Sequence, residues 1–402
     1  MAKPPFRHGS WTYYAAIPAL FLFVYAYTVG RSWSPVSTVC ITGSQTAHLA
    51  FRSHASDSDN RSLGVTKVVA KSSPGDSVDD LPWWDGGRCL QDGDGSWRPK
   101  DPSHEISRPR RLRGVRGTCG RRAFADGDHQ QVISYSLFGS NPGYWVGLSE
   151  SLSMAKTLYP GWKVWLFTDP RGKSSVLCPL LHKHEHFRVC DVTNLPFPLY
   201  NISRVYPTVW RLSPLGDPTV DVLIVRDSDM KFMEREQTAV LEWLSSSKMF
   251  HLMRDHPGHL AQILAGMWGA RWDIHSQRNK SSTDFVARLL SSSPPSLEAL
   301  QKMRNRMLVM ASKNLYHGID QAILKRVLWP EMVGNVVAHD SYYCTKFPSG
   351  WRPWPTRRHN GTFVGNTWYR GRQTPLTAKC PRECRPPDHL IGSTVNDVVS
   401  NS

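Results

Sequence analysis

The chain has 402 residues, 40% of them hydrophobic, enough to bury one core of about 200 to 270 residues plus extensions. Its 49 Lys and Arg against 33 Asp and Glu leave a formal charge of +16, which points toward polyanionic partners. No internal repeat is evident, which excludes solenoids and propellers.

Residues 13–30 are almost uninterrupted apolar or aromatic, preceded by Lys3, Arg7 and His8. A run of about 18 is at the short end of a bilayer span, and flanking basic residues keep the N-terminal side cytoplasmic. No small-x-small cleavage site is obvious, so the segment reads as an uncleaved type II anchor rather than a cleaved signal peptide. Residues 1–12 are then a cytoplasmic tail, and the remainder is luminal. From 31 to 131, Ser, Gly, Asp and Pro prevail without periodicity, a composition that reads as a largely disordered stem. Within it, Arg108-Pro109-Arg110-Arg111 meets the Arg-x-x-Arg pattern of proprotein convertases, which predicts cleavage after Arg111 and a secreted fragment.

Eight cysteines and four glycosylation sequons, at Asn60, Asn201, Asn279 and Asn360, fit an oxidising lumen. No Cys-x-x-Cys pair occurs, which argues against structural zinc. Cys178 with Cys190 is the expected local bridge. Cys380 and Cys384 pair with each other or elsewhere, and Cys40, beside the membrane, is placed to link two chains into a homodimer.

Residues 132–139 read as a first strand with a glycine-bearing turn, 144–158 as a helix and 163–169 as the next strand. Strands alternating with helical patterns predict βαβ units and a largely parallel sheet. A short helix over 207–212 carries Arg211. The run Val220-Asp221-Val222-Leu223-Ile224-Val225-Arg226-Asp227-Ser228-Asp229 is the most informative of all: a buried strand that delivers two carboxylates to its C-terminal end. Ligands bind outside the carboxyl ends of strands in open α/β sheets, and Mg²⁺ or Mn²⁺ takes carboxylate oxygens together with water and phosphate oxygens. Asp-Ser-Asp after a strand is also ordinary turn chemistry.

A helix over 234–247 and a strand over 249–253 precede Arg254-Asp255-His256-Pro257-Gly258-His259. In Gly266-Met267-Trp268-Gly269 the glycines let backbone approach a ligand closely, and Trp268 between them suits a sugar face. Asp320 and Gln321 open an amphipathic helix, and 333–338 forms a last strand ending in His339-Asp340. These blocks, Arg-Asp-Ser-Asp, Met-Arg-Asp-His-Pro, Gly-Met-Trp-Gly and the Asp-Gln helix, resemble a group of sugar transferases with the GT-A fold. The resemblance covers roughly 132–344.

It implies an α/β/α nucleotide-sugar-binding sandwich over 132–345, with Mn²⁺ or Mg²⁺ as cofactor and a UDP- or GDP-sugar as donor. Asp227 and Asp229 are the expected metal ligands, and by the same resemblance His339 closes the metal site. Arg211 and Arg226 are candidates to neutralise the diphosphate, because guanidinium matches phosphate geometry. Asp255, His256 and Asp320 are candidates to orient or deprotonate an acceptor hydroxyl. Asp169 is a weaker candidate for nucleotide contact.

The segment 346–402 is expected to be a basic, aromatic extension: 346–385 holds nine Lys or Arg opposed only by Glu383. In a lumen nucleic acid is removed as a partner, leaving an acidic glycan or lipid headgroup. The expected protein is a metal-dependent Golgi glycosyltransferase acting on a glycan or glycoconjugate. The alternatives are a catalytically silent glycan-binding protein of the same fold, an adhesive protein with a basic tail, and an Asp-x-Asp phosphatase, from whose pattern Met230-Lys231 departs.

Overall fold

The computed structural model describes residues 81–105, 112, 114–272, 295–358, 361–367, 376 and 378–385. The expected anchor, Arg108, Arg111, Cys40 and the sequons at Asn60, Asn279 and Asn360 lie outside them. Among the described residues no helix is long and apolar enough to cross a membrane.

An eight-stranded sheet forms the centre. Its strands are β3 (Gln130–Ser136), β4 (Lys163–Thr168), β5 (Phe187–Asp191), β6 (Val220–Arg226), β7 (Phe250–Arg254), β8 (Met267–Arg271), β9 (Val336–Asp340) and β10 (Trp351–Arg352), in the order β10-β9-β7-β8-β6-β3-β4-β5. β8 runs antiparallel to β6 and β7 and the other pairings are parallel. A small hairpin of β1 (Cys89–Gln91) and β2 (Trp97–Pro99) stands apart. The architecture is mixed α/β with a mainly parallel sheet.

Buried parallel strands need apolar side chains on both faces, and β6 obeys: Leu223, Ile224 and Val225 are fully buried. Each contributes about 1.5–3 kcal/mol of burial. Val132, Leu223 and Val225 face a core with helices α5 (Leu297–Lys313) and α6 (Ile319–Val327). Ile133, Tyr135, Val222 and Ile224 face a second core with α2 (Pro142–Leu158), α3 (Ser174–Lys183) and α4 (Glu234–Ser245). The N-terminus of α2 is set by Asn141, whose side chain accepts from Gly143 N at 3.0 Å, with proline at the first position.

Two expectations are corrected. The stem does not extend to 131. Trp83 and Trp84 are buried in the second core, and the short helix α1 (Arg121–Ala125) takes the Asp85 carboxylate at its N-terminus through Arg121 N and Arg122 N, both at 2.9 Å. Apolar residues scattered without period bury well when distant partners supply the surface. The bridge Cys178–Cys190 does not form: Cys178 joins Cys89 and Cys190 joins Cys119, which ties that N-terminal segment to α3 and β5. Cys384 joins Cys344, and Cys380 is not bridged to another described cysteine.

The tail is likewise no mere extension. Residues 351–352 add the edge strand β10, and 361–367 run as a strap across the carboxyl ends of the central strands. Lys231 N donates to Asn366 O at 2.7 Å, and Met230 bridges Thr367. Met230, Met253, Met267, Trp354 and Val364 make a small core beneath it.

Candidate functional site

A cleft of about 800 Å³ opens at the carboxyl ends of β3 and β6. The chain leaves β3 toward β4 on one side and β6 adjoins β3 on the other, so the cleft straddles the point where strand order reverses, the place where open α/β sheets bind ligands. Ser136, Leu137 and Phe138 line it from the end of β3, Tyr144 from α2, Thr208 and Arg211 from the short 3-10 helix Pro207–Leu212 and Tyr206 from its N-cap. Asp227, Ser228 and Asp229 form the part that follows β6, with His256 after β7 and His317 before α6. Phe363, Gly365, Asn366 and Thr367 close it from the strap.

The two carboxylates lie where the sequence puts them. Asp227 is half-exposed, and one carboxylate oxygen takes the Arg211 guanidinium. Gly266 packs against the same carboxylate, and a Cβ there would overlap it. The glycine therefore serves a close approach, but to Asp227 rather than to a ligand.

Arg211 is itself buried. Its Nη2 donates to Asp320 Oδ2 at 2.9 Å and its Nη1 to Arg226 O at 3.2 Å. Burial opposes its charge, and the Asp227 and Asp320 carboxylates outweigh that, holding its pKa above the ordinary value. Asp320 Oδ1 also accepts from Gln321 N at 3.0 Å, within the first turn of its own helix. These three side chains form a fixed relay, Asp320 to Arg211 to Asp227, that orients one carboxylate of the pair. Asp320 is a positioning residue, and it does not line the cleft.

Several expected site residues lie elsewhere. Arg226 is fully buried and faces away from the cleft: Nε pairs with Glu236 Oε1 at 2.6 Å and Nη1 donates to Val225 O and Trp268 O at 2.8 and 2.9 Å. It cannot reach a diphosphate. Trp268 is fully buried in the core and offers no sugar face. Gly269 makes room for Leu223 O and the Trp243 ring, each 3.0 Å from where a Cβ would sit.

His339 is fully buried, with Nε2 3.2 Å from Glu242 Oε2 and Nδ1 2.8 Å from His251 Nε2. Both nitrogens are committed, so it is not a metal ligand. Asp255 is fully buried too, bound by Arg235 (Nε 2.9 Å, Nη2 3.0 Å), Arg358 (2.6 Å), Ser341 Oγ (2.6 Å) and Val364 N (3.1 Å). Burial opposes its charge, yet the two guanidiniums hold its carboxyl below the usual range. A carboxylate saturated by five donors is no general base; it anchors the strap. Arg358 is thereby taken from any acidic acceptor. Asp169 pairs with Arg171 in its own turn, at 2.6 and 2.8 Å.

His256 does line the cleft, with its ring 4.5 Å from that of Phe363 at an interplanar angle of 37°. Burial and the nearby Arg358 lower its pKa, which favours the neutral ring.

Among the described residues no cluster of three or more His, Cys, Asp or Glu could hold a metal by itself. Asp227 and Asp229 do fit a hard divalent cation that keeps water and phosphate oxygens in its other positions. Tyr144, Tyr206, Thr208, His317, Phe363, Asn366 and Thr367 were not expected in the site; Phe363 sits in irregular backbone with no periodic signal.

No protein-family model matches the chain, and no curated protein matches it. Among solved structures, the chain is similar to the crystal structure of a glycosyltransferase involved in the glycosylation of the major capsid of PBCV-1. The identity is 11% and the TM-score 0.29, over 53% of this chain and 82% of that one.

Proposed function

We propose that the chain is a metal-dependent glycosyltransferase that moves a sugar from a nucleotide sugar to a glycan or glycoconjugate acceptor. The observation that carries this reading is the pair Asp227 and Asp229, set in a cleft at the strand-order reversal, with Gly266 and Arg211 shaped around the first of them. A bound Mn²⁺ or Mg²⁺ supplies Lewis-acid neutralisation of the leaving nucleoside diphosphate. Asp227 and Asp229 would hold that ion, and the relay through Arg211 and Asp320 fixes the orientation of the Asp227 carboxylate. Phe138, Tyr144 and Tyr206 offer rings to the nucleoside at the β3 side.

A phosphatase reading is disfavoured, because Met230-Lys231 departs from its Asp-x-Asp pattern. Three disulfides among the described residues support an oxidising compartment, in line with a Golgi location. The test is a panel of nucleotide sugars offered to the purified full chain. The expected result is Mn²⁺-dependent hydrolysis of one donor class, abolished in Asp229→Asn. Absence of both hydrolysis and metal-dependent nucleotide binding across the panel overturns the proposal.

A further inference from the structure

We infer that the strap and the loop after β7 together form an acceptor subsite, in which the adjoining, mutually tilted Phe363 and His256 rings carry a sugar ring and His256 donates a hydrogen bond to it from Nε2. This deepens the glycosyl-transfer reading and rests on it. The strand-order reversal between β3 and β6 sets the nucleotide at that end of the cleft. His256 follows β7, which β8 separates from β6. Strands lie about 4.8 Å apart, so the platform stands roughly 10 Å from the β6 end, with room for the transferred sugar between. The strap also touches the carboxylate turn, since Met230, directly after Asp229, bridges Thr367.

The direction of the His256 hydrogen bond follows from its backbone. Gly258 N donates to His256 Nδ1 at 2.9 Å, which makes Nδ1 the acceptor and leaves the proton of the neutral ring on Nε2. His259 behaves alike, its Nδ1 accepting from Asp255 N at 3.0 Å. A general base needs a free lone pair, and His256 has none to offer. The platform is also held rigid. Asp255 ties Val364 to Arg235 and Ser341, and Gly365, at φ +97°, lies so close to Met267 and His259 that a side chain would collide with both. Aromatic surface with a few fixed polar groups is what a small-molecule subsite requires, and Asn366 and Thr367 add an amide and a hydroxyl beside it.

The test uses the full chain with Mn²⁺. His256→Phe keeps the ring plane without the donor, His256→Gln restores an N–H near the Nε2 position, and Phe363→Leu removes the aromatic face. The expected result is a roughly tenfold rise in acceptor KM for His256→Phe and Phe363→Leu, about 1.4 kcal/mol, recovered in His256→Gln, with Mn²⁺–nucleotide affinity by calorimetry unmoved. Because imidazole donates from Nε2 whether neutral or protonated, no acidic limb in kcat/KM for the acceptor should depend on His256. Equal weakening of nucleotide and acceptor, or an acidic limb that vanishes in His256→Gln, overturns the inference. If the wild-type chain neither turns over nor binds any nucleotide sugar, the parent reading fails separately. The subsite is then judged by titrating ¹⁵N-histidine-labelled chain with methyl glycosides: a shifted Nε2–H resonance that Phe363→Leu abolishes supports it, and an unmoved one ends it.

Discussion

Replacing Asp255 by Asn separates two roles that the sequence leaves open at this position. The carboxylate is fully buried and meets Arg235, Arg358, Ser341 and Val364 N. An amide keeps the shape, removes the charge and turns an NH₂ toward part of this all-donor set. Breaking a buried ion pair by removing one partner costs about 3–5 kcal/mol. Domains of 150–250 residues lose roughly 2–4 °C of Tm per kcal/mol, and a domain at or beyond the upper end of that range sits near 2 °C, so Asp255→Asn should melt about 6–10 °C lower. Differential scanning calorimetry at pH 7 gives the number.

The pH dependence adds a second check. Because the folded pKa is depressed, the stabilisation is present above the unfolded value of about 3.9 and is lost as pH falls through the folded one. The gap between wild type and variant should therefore close under acid. If the melt stays within about 1 °C while turnover collapses, Asp255 is a chemical group and the structural argument is wrong.

Asp229→Asn and Asp227→Asn should each weaken Mn²⁺ binding, read by electron paramagnetic resonance, at least tenfold, Asp229→Asn without lowering Tm and Asp227→Asn with a lower Tm because it also takes a partner from the buried Arg211; unchanged affinity removes them as ligands. Asp320→Asn should weaken Mn²⁺ binding less, because it acts only through Arg211, and an effect equal to that of Asp227→Asn would contradict the relay. Asp191 is buried with one carboxylate oxygen unpaired, and desolvation raises its pKa to about 6. Its contribution is present below the unfolded value and lost as pH rises through about 6, so Asp191→Asn should raise Tm at pH 7 and leave it unchanged near pH 4. Removing the Cys344–Cys384 bridge, which closes 40 residues, should cost about 4 kcal/mol by loop entropy, measured by urea denaturation.

The strands were legible because burial on both faces writes continuous apolar runs, as in 220–226, and the carboxylate pair was legible because such a run ends in it. What failed shares one cause. Arg226, Asp255 and His339 each flank a strand end, where sequence names the residue but not the side of the sheet it faces. Trp268 in an antiparallel strand between β6 and β7 is walled in by neighbours that come from elsewhere in the chain. Cysteine partners 71 and 89 positions apart leave no local mark, and neither does an irregular strap.

That strap fixes the order in which the molecule becomes competent. Every strand that frames the cleft through β9 is synthesised before residue 341, while Phe363, Asn366 and Thr367 arrive later and the Cys344–Cys384 bridge later still. Chains fold from the N-terminal side as they emerge, so a nascent or prematurely stopped chain can hold its sheet while one wall of its cleft is missing. In that species Asp255 lacks Arg358 and Val364, and the apolar side chains of Met230, Met253 and Met267 lose their cover. Loss of the last sixty residues would therefore yield a chaperone substrate rather than a folded chain with a weakened site.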